Sequence, residues 1–260
     1  MNEKKTAEIL ESRWISVLER GDPSELTLFL SENSNLPGPR ANLTLAIKLG
    51  ELFTKSWARY STFLRRCIDS WGDDEYLRTC RNIVIGYIVA YHSEEDIWTL
   101  DLLYQDNLSN EWRPREAVTI GLTKALQQKE TYMLQLLHRW NEDNDLMILR
   151  NTLVTLADPE NLRRSPKIRE ALRLYTVKAM MDLKDEIRTS MPSYKMLKKS
   201  LGFTISVAAV EDPQMIRMFE AWVESDAKQW KSVLKSNLNK NRLAKKYPEL
   251  TARLKAKLSA

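Results

Sequence analysis

Six polar side chains near the C terminus have the types and the spacing to bind a row of phosphates. On one continuous helix, which turns about 100° per residue, they fall within an arc of about 80°. They are Lys228, Lys231, Lys235, Asn239, Arg242 and Lys246. The opposite face holds apolar residues with Asn237 and Asn241, whose amides we expect to bond to backbone because buried amides need partners. A solvated end of a helical array has the same pattern, so both interpretations stay open.

The positive charge of the chain is concentrated at this end. The 260 residues include 40 Lys or Arg and 35 Asp or Glu, which gives a net charge of +5. Residues 226–260 hold ten basic and two acidic residues, a net +8, so the rest of the chain is slightly acidic. Such asymmetry is typical of an anion-binding surface. We predict that DNA or another polyanion contacts Lys198, Lys199, Lys228, Lys231, Lys235, Arg242 and Lys246, through its backbone rather than its bases.

Other chemistry finds little support in the sequence. His92 and His138 have no second ligand at metal-binding spacing, so we expect no metal site. Cys67 and Cys80 provide no disulfide framework and favour a reducing, cytoplasmic setting. No glycine-rich phosphate loop or Gly-x-Ser-x-Gly elbow occurs, so we expect no cofactor. The longest apolar stretch, residues 83–91, is about half the length that a membrane span requires, so no membrane partner is expected.

Helices are the elements that must position these residues. Glycine occurs only 7 times, while the many turns of a β-sandwich or barrel depend on it. Apolar residues recur every three or four positions along nearly the whole chain. This periodicity predicts helices at 6–20, 41–70, 74–91, 94–105, 113–127, 129–141, 145–157, 166–187, 193–210, 213–224, 227–245 and 248–258. The predicted fold class is therefore all-α.

The predicted helices recur in pairs, which indicates a repeat architecture. Five tryptophans follow one another at intervals of 43, 41, 42 and 82 residues: Trp14, Trp57, Trp98, Trp140 and Trp222. The clearest break is Pro37-Gly38-Pro39. We therefore predict an N-terminal helical pair over residues 1–36. Residues 40–260 are predicted to form a HEAT-like α-solenoid of stacked antiparallel helix pairs, and the whole chain fits one continuous solenoid.

Four short stretches follow patterns known from one group of repeat proteins. Trp112–Ala117, Leu149–Pro159, Leu201–Pro213 and Asn237–Leu243 resemble W-x-x-R-E-A, v-R-x-x-v-x-x-l-a-x-P, LGY-x-x-SVA…P and ENLKKNRL, in that order. Ser236 replaces the glutamate that usually opens the last pattern. By these stretches the chain resembles the HEAT-like repeat proteins related to alkylpurine DNA glycosylases (AlkC/AlkD-like).

This resemblance implies a right-handed superhelix with a concave, partly basic surface that holds DNA. In the glycosylases a tryptophan, a carboxylate and an arginine lie near the lesion, where the carboxylate stabilises positive charge on the departing nucleotide's sugar. The positions here that match best are Trp112, Glu116 and Arg150. The glycosylase pattern of adjacent Trp and Asp on one helix is absent. Structural roles stay open, since an acid in a first helical turn is also favoured by the helix dipole.

Three functions are consistent with the sequence. The leading hypothesis is a helical-repeat scaffold that binds DNA or another polyanion through a basic concave or C-terminal surface, without confirmed catalysis. The first alternative is an alkylpurine DNA glycosylase acting in DNA alkylation repair. The second alternative is a protein–protein scaffold whose acidic N-terminal part contacts a protein partner. A shared fold does not decide between them, because function depends on the site.

Overall fold

A computed structural model describes residues 3–92, 97–225 and 227–259, and the regular structure in these ranges is helical. The helices are α1 (Glu3–Arg20), α2 (Pro23–Glu32), α3 (Leu43–Ser70), α4 (Glu75–Tyr91), α5 (Ile97–Asn107), α6 (Trp112–Gln128), α7 (Glu130–Trp140), α8 (Leu146–Leu156), α9 (Pro159–Arg164), α10 (Pro166–Asp182), α11 (Pro192–Glu211), α12 (Pro213–Glu224), α13 (Lys228–Leu238), α14 (Asn241–Lys246) and α15 (Pro248–Ser259). A 3₁₀ helix covers Glu186–Ser190. The predicted all-α class is confirmed. Residues 94–96 of the predicted helix 94–105 lie outside the described residues.

Local sequence explains where most of these helices begin. An aspartate side chain accepts a hydrogen bond from a backbone N–H of the first turn in five cases: Asp22, Asp74, Asp145, Asp158 and Asp212. Helices α2, α9, α10, α11 and α12 each have proline in their first turn. Proline costs no hydrogen bond there, because the first N–H groups of a helix have no partner within it. Short connections with an acid and a proline therefore suffice to separate the helices.

The chain divides into two compact units, Met1–Met133 and Leu134–Ala260. In the first unit, α4 packs against both α3 and α6. Gly86 of α4 and Gly121 of α6 meet so closely that a Cβ on Gly86 would lie 2.2 Å from the Cα of Gly121. Nearby, the Asn82 amide donates a hydrogen bond of 3.0 Å to the Pro114 carbonyl. Without side chains at these two positions, the backbones of α4 and α6 can approach each other closely.

The N-terminal helices α1 and α2 belong to the packing of this first unit. Both contact α3, and the Trp14 indole of α1 donates a hydrogen bond of 2.8 Å to the Ser56 hydroxyl of α3. The Trp14 ring also lies 5.7 Å from the ring of Phe53. The helical pair predicted for residues 1–36 is therefore packed on the following helix. The two compact units divide between residues 133 and 134, and the predicted domain boundary at residues 37–39 stays a prediction.

In the second unit, α11 packs against α8, α12 and α13. The neighbouring helix α10 ends at Asp182 and not at residue 187, so the predicted C-terminal end of this helix is wrong. The Tyr194 hydroxyl donates a hydrogen bond of 2.9 Å to the Leu183 carbonyl just past this end. This contact satisfies one of the carbonyl groups that a helix end leaves without a partner. Asp185 then caps the short 3₁₀ helix that follows.

Several of the hydrogen bonds that join helices within a unit have a similar sequence separation. The pairs and separations are Asn82–Pro114 (32), His92–Lys129 (37), Asn141–Lys178 (37), Gly202–Ser236 (34) and Glu220–Arg253 (33). Each separation is about the length of one helix pair with its connections. These hydrogen bonds thus join segments that lie about one helix pair apart in the sequence.

Candidate nucleic-acid interface

The first part of the predicted phosphate-binding row lies on α13. Lys228, Lys231 and Lys235 are exposed on one face of this helix, whereas Trp230 and Val233 are buried. The chain as far as the structure describes it offers these three lysines no ion-pair partner. Ammonium groups without an acidic neighbour keep their charge available for an external anion. The predicted arrangement of this face is confirmed, and phosphate binding by it stays a prediction.

A buried asparagine fixes α13 on α11. The Asn237 amide donates hydrogen bonds to the carbonyls of Leu201 at 2.8 Å and Val233 at 2.9 Å. Its carbonyl oxygen accepts a hydrogen bond of 2.8 Å from the backbone N–H of Ser206. The prediction that Asn237 bonds to backbone in its preceding turn is confirmed through Val233, and the bonds to α11 add a link between helices. The lysine face of α13 is therefore held on a fixed support.

The row is not one continuous helical face, because the predicted helix 227–245 is interrupted after Leu238. Asn239 ends α13, and Lys240 has an extended backbone before α14 begins at Asn241. Asparagine is a weak helix former because its side chain competes for backbone hydrogen bonds, and two asparagines flank this break. Asn241 is exposed, so the prediction that it lies on the packed face is wrong.

The last two residues of the predicted row therefore lie on a separate helix, α14. This helix packs on α11 and buries Leu243, while Arg242 is exposed. The Lys246 ammonium hydrogen-bonds to the Val210 carbonyl of α11 and lies 5.6 Å from the centroid of the Tyr247 ring. A lysine ammonium has three N–H groups, so this contact leaves donors for another acceptor. The basic surface is thus divided between α13 and α14.

Lys198 and Lys199 lie on α11, the helix that supports α13 and α14. Lys199 is exposed and Lys198 is half-buried. Among the described residues neither lysine forms an ion pair. Both lysines precede Leu201, which bonds to Asn237. All seven residues predicted to contact a polyanion therefore belong to the second unit, on three helices that pack together.

Charge is distributed unequally between the two units. The first unit has 16 basic and 20 acidic residues, and the second has 24 basic and 15 acidic residues. Within residues 227–259 the excess is larger, with ten Lys or Arg and one acid, Glu249. Two of these cations, Arg253 and Lys257, form ion pairs with Glu220 and Glu224 of α12. Most of the positive charge of α13–α15 therefore faces solvent without a counter-charge.

Two of the three residues suggested by the glycosylase resemblance line one cavity in the first unit. Trp112 and Glu116 lie one turn apart on α6 and border a cavity of about 250 Å³, which Glu3 and Arg40 also line. The Trp112 side chain is 50% exposed, so one large aromatic surface is open to a ligand. Because α6 begins at Trp112, Glu116 lies in the second turn and not in the first turn that the sequence predicts. Its position therefore does not follow from the helix dipole, which acts within the first turn.

Arg113 holds the Trp112 end of this cavity in place. Its guanidinium lies 4.6 Å from the Trp112 ring centroid. It also donates hydrogen bonds of 3.0 Å to both carboxylate oxygens of Glu75 and a hydrogen bond of 3.0 Å to the Gly38 carbonyl. These contacts tie the start of α6 to the start of α4 and to the turn before α3. Sequence reasoning missed both Arg113 and Arg40, since contacts across 38 or more positions leave no local signal.

The third residue, Arg150, lies on α8 in the second unit. It is half-buried, and its guanidinium hydrogen-bonds to the side-chain oxygen of Asn151. Trp112 and Glu116 belong to the first unit. Their convergence with Arg150 on one substrate stays a prediction.

The remaining reactive side chains include the two histidines and the buried Cys67. In the part of the chain that the structure describes, no group of three His, Cys, Asp or Glu residues could hold a metal ion. His92 lies 3.0 Å from the Thr54 carbonyl through Nε2, and His138 is exposed on α7. Burial raises the pKa of the Cys67 thiol to about 12, so this cysteine is a poor nucleophile. The described helices include none that is long and apolar enough to cross a membrane.

Comparison with known proteins finds no match for this chain. The chain matches no protein-family model, no curated protein sequence and no solved structure. The resemblance to the alkylpurine DNA glycosylase group therefore depends on the four sequence stretches described above.

Proposed function

We propose that this protein is a HEAT-like helical-repeat scaffold that binds duplex DNA, or a polyanion of similar charge, through its second unit. The recurring separation of 32 to 37 residues between hydrogen-bonded helices supports the repeat architecture. Repeat proteins of this kind stack one helix pair on the next and bind partners along the resulting surface. The proposed ligand follows from the charge of that surface.

The observation that carries the proposal is the exposed lysine face of α13. Lys228, Lys231 and Lys235 point to solvent without an acidic partner in the described residues, while Asn237 fixes the helix on α11. Because the helix that carries these cations is already fixed, little backbone freedom is lost when it meets a regularly charged polymer. Each cation that neutralises a phosphate also releases condensed counterions, which favours association.

This surface is suited to contacts with the sugar–phosphate backbone. Lysine is a flexible point charge, whereas base recognition in the major groove relies on bidentate donors such as arginine or amides. The α13 face has three lysines and no arginine. We therefore expect binding with little dependence on base sequence.

The test replaces Lys228, Lys231 and Lys235 together by glutamine and measures the affinity for a mixed-sequence duplex by fluorescence anisotropy. At low salt we expect the affinity to fall by at least about tenfold, which corresponds to about 1.4 kcal/mol. All three side chains are exposed, so the fold and its melting temperature should not change.

The matched control removes three exposed cations from the acidic first unit, with Lys5, Arg13 and Lys55 replaced by glutamine. This variant has the same net charge as the α13 variant, so a general charge effect would weaken both equally. The proposal requires that the control retain the wild-type affinity within about twofold. Equal loss in the two variants, or no duplex binding by the wild-type protein, contradicts it.

A second candidate function, an alkylpurine DNA glycosylase, is favoured by one observation. Trp112 and Glu116 line the same cavity, where an aromatic surface and a carboxylate would meet one ligand. If Glu116 stabilises developing positive charge, Glu116→Gln should slow release of methylated purine from alkylated duplex by about 100-fold or more. Equal release by wild-type protein and variant, at the rate without protein, would exclude this function.

A further inference from the structure

The cavity that Trp112 and Glu116 border in the first unit contains charged groups of both signs. Its lining comes from the start of α1, the turn that leads into α3, and helices α3, α4 and α6. Its volume of about 250 Å³ lies below the range of about 300 to 1,000 Å³ that is usual for sites of drug-sized ligands. A ligand that fills this cavity, which we call the α6 cavity, is therefore small.

Part of the lining of the α6 cavity is apolar. Ala117 and Ile120 of α6 contribute to it, together with Leu43 at the start of α3, which is 40% exposed. The indole ring of Trp112 is half open to solvent. Apolar surface of this kind gains free energy when a ligand removes it from water. An aromatic ring is the apolar group that suits it best, because it can also stack on the indole.

Two carboxylates, Glu3 of α1 and Glu116 of α6, border the same cavity. The oxygens of Glu3 accept one hydrogen bond each, from the Asn35 amide at 3.0 Å and from the Thr44 hydroxyl at 3.1 Å. These uncharged donors orient the Glu3 carboxylate without neutralising it, and it retains further acceptor positions. An ammonium group in this cavity would gain charge-assisted hydrogen bonds and a contact with an aromatic ring.

The two arginines of the α6 cavity differ in how far their charge is compensated. Arg113 forms an ion pair with Glu75 and lies over the Trp112 ring. Arg40 is exposed, and the part of the chain that the structure describes includes no acidic partner for it. The Arg40 guanidinium can therefore bind an external anion, and a carboxylate matches its two parallel N–H donors.

We propose that the α6 cavity binds a free amino acid with an aromatic side chain. The ammonium group of the ligand binds Glu3 and Glu116, and its carboxylate pairs with Arg40. Its ring packs on Trp112 and Ile120. This site lies in the first unit, so it does not depend on DNA binding by the lysine face of α13.

Ligands with a different set of charges fit the α6 cavity less well. An aromatic amine leaves the Arg40 guanidinium without an anion, and an aromatic acid brings a third carboxylate next to Glu3 and Glu116. A free methylated purine base has no anionic group for Arg40. An amino acid combines both charges with the apolar group in a molecule of the required size. The other three kinds of ligand serve as comparisons in the test.

The test titrates the full chain with L-phenylalanine by isothermal calorimetry. Two control compounds keep the ring and lack one charge each: 2-phenylethylamine has no carboxylate, and 3-phenylpropanoate has no ammonium group. We expect saturable binding of L-phenylalanine with a dissociation constant of about 0.1 mM. Each control compound should bind at least about tenfold more weakly, because it leaves a charged group of the cavity without its partner.

Three variants assign the two charged ends of the ligand. Arg40→Gln should weaken binding of L-phenylalanine by at least about tenfold and make it equal to that of 2-phenylethylamine. Glu3→Gln should reduce the preference for L-phenylalanine over 3-phenylpropanoate. Arg13→Gln removes another exposed arginine of the first unit, outside the cavity, and should leave the affinity unchanged. Arg40 and Arg13 are both exposed, so these two variants should keep the wild-type melting temperature.

A signal within the cavity locates the ligand independently of the variants. The ¹H–¹⁵N signal of the Trp112 indole should shift on addition of L-phenylalanine, and that of Trp222 in the second unit should not. The variant with Lys228, Lys231 and Lys235 replaced by glutamine should bind L-phenylalanine as the wild type does. Failure of amino-acid binding and failure of DNA binding are thereby distinguished.

Several results would overturn the proposal. These are no saturable binding of L-phenylalanine, L-tyrosine or L-tryptophan up to about 10 mM, equal binding of L-phenylalanine and its two control compounds, or equal loss in Arg40→Gln and Arg13→Gln. Binding of 3-methyladenine, with none of the amino acids, would also overturn it and would favour the glycosylase function instead.

Discussion

At the scale of single residues, Asp106 at the end of α5 shows how the first unit uses buried charge. Its side chain is 4% exposed and accepts hydrogen bonds from Arg78 Nε at 3.0 Å and Arg81 Nη2 at 2.8 Å, both on α4. Burial by itself would raise the pKa of this carboxyl, but the hydrogen bonds from the two arginines outweigh it and hold the pKa below its ordinary value. The carboxylate is therefore ionised in the folded protein, and it fixes α5 against α4.

We expect Asp106→Asn to lower the free energy of unfolding by about 3 kcal/mol near neutral pH, because partly buried Arg81 loses its acidic partner and Arg78 keeps only Glu111. A carboxyl with a lowered folded pKa stabilises the protein above its unfolded pKa of about 3.9. That contribution is lost as the pH falls through the lower folded pKa. In urea unfolding, the difference between wild type and variant should therefore shrink as the pH falls below about 4.

The control for this prediction is Glu25→Gln, which breaks the exposed ion pair between Arg20 and Glu25. It should cost less than about 1 kcal/mol at any pH, since exposed pairs are screened by solvent. A difference between wild type and Asp106→Asn that stays constant from about pH 7 to about pH 2 would contradict the role given to Asp106.

At the scale of helices, the contact between α4 and α6 depends on backbone approaching backbone. A Cβ on Gly86 would lie 2.2 Å from Gly121 Cα and 2.4 Å from its carbonyl carbon, so α4 and α6 would have to move apart. A Cβ on Gly202 of α11 would instead lie 3.0 Å from the Ser236 hydroxyl oxygen and 3.3 Å from the Ser236 Cβ on α13, so it would meet a side chain and not backbone. Both glycines thus lie at helix crossings, but Gly86 faces the backbone of the neighbouring helix and Gly202 faces a side chain.

We expect Gly86→Ala to destabilise the protein by about 3 kcal/mol or more, since overpacking against backbone forces a helix shift. Gly202→Ala should cost about 1 kcal/mol or less, because alanine also favours the helix by a similar amount. Urea unfolding of both variants measures the difference. Equal destabilisation by the two substitutions would show that the α4–α6 crossing is not as tight as the structure has it.

The sequence predicts helix starts better than helix ends. Asp145, Asp158 and Asp212 precede helices and cap them through their own side chains, so the signal lies within four residues of its effect. The interruption after Leu238 was not predicted, because the periodicity of apolar residues continues across it. Asn239 and Asn241 are weak helix formers, but this propensity interrupts the helix only in the folded protein, where α14 packs on α11.

As with the helices, only part of the candidate site can be predicted from the sequence. The exposed face with Lys228, Lys231 and Lys235 follows from helical spacing alone. The cavity that joins Trp112 to Arg40 and Glu3 does not, since residues from three separate helices or turns meet there. Tertiary contacts of this kind decide which side chains share a site, and a single sequence carries no record of them.

At the scale of the whole molecule, charge separates the two units. The first unit has more acidic than basic residues, and the second has nine more basic than acidic residues. A polyanion should therefore be drawn to the second unit from a distance, and this attraction should weaken with ionic strength. Lys198, Lys199, Arg242 and Lys246 extend the basic surface beyond α13, on α11 and α14.

The central claim is tested most directly by the salt dependence of duplex binding, measured for the wild-type protein and for the variant with Lys228, Lys231 and Lys235 replaced by glutamine. The logarithm of the association constant should fall linearly with the logarithm of salt concentration, with a slope of about −0.9 for each phosphate neutralised. For the variant we expect a slope shallower by up to about 2.7, since three cations are removed. Duplex binding by the wild-type protein that does not change with salt, or an identical slope for the two proteins, would contradict phosphate contacts by the α13 face.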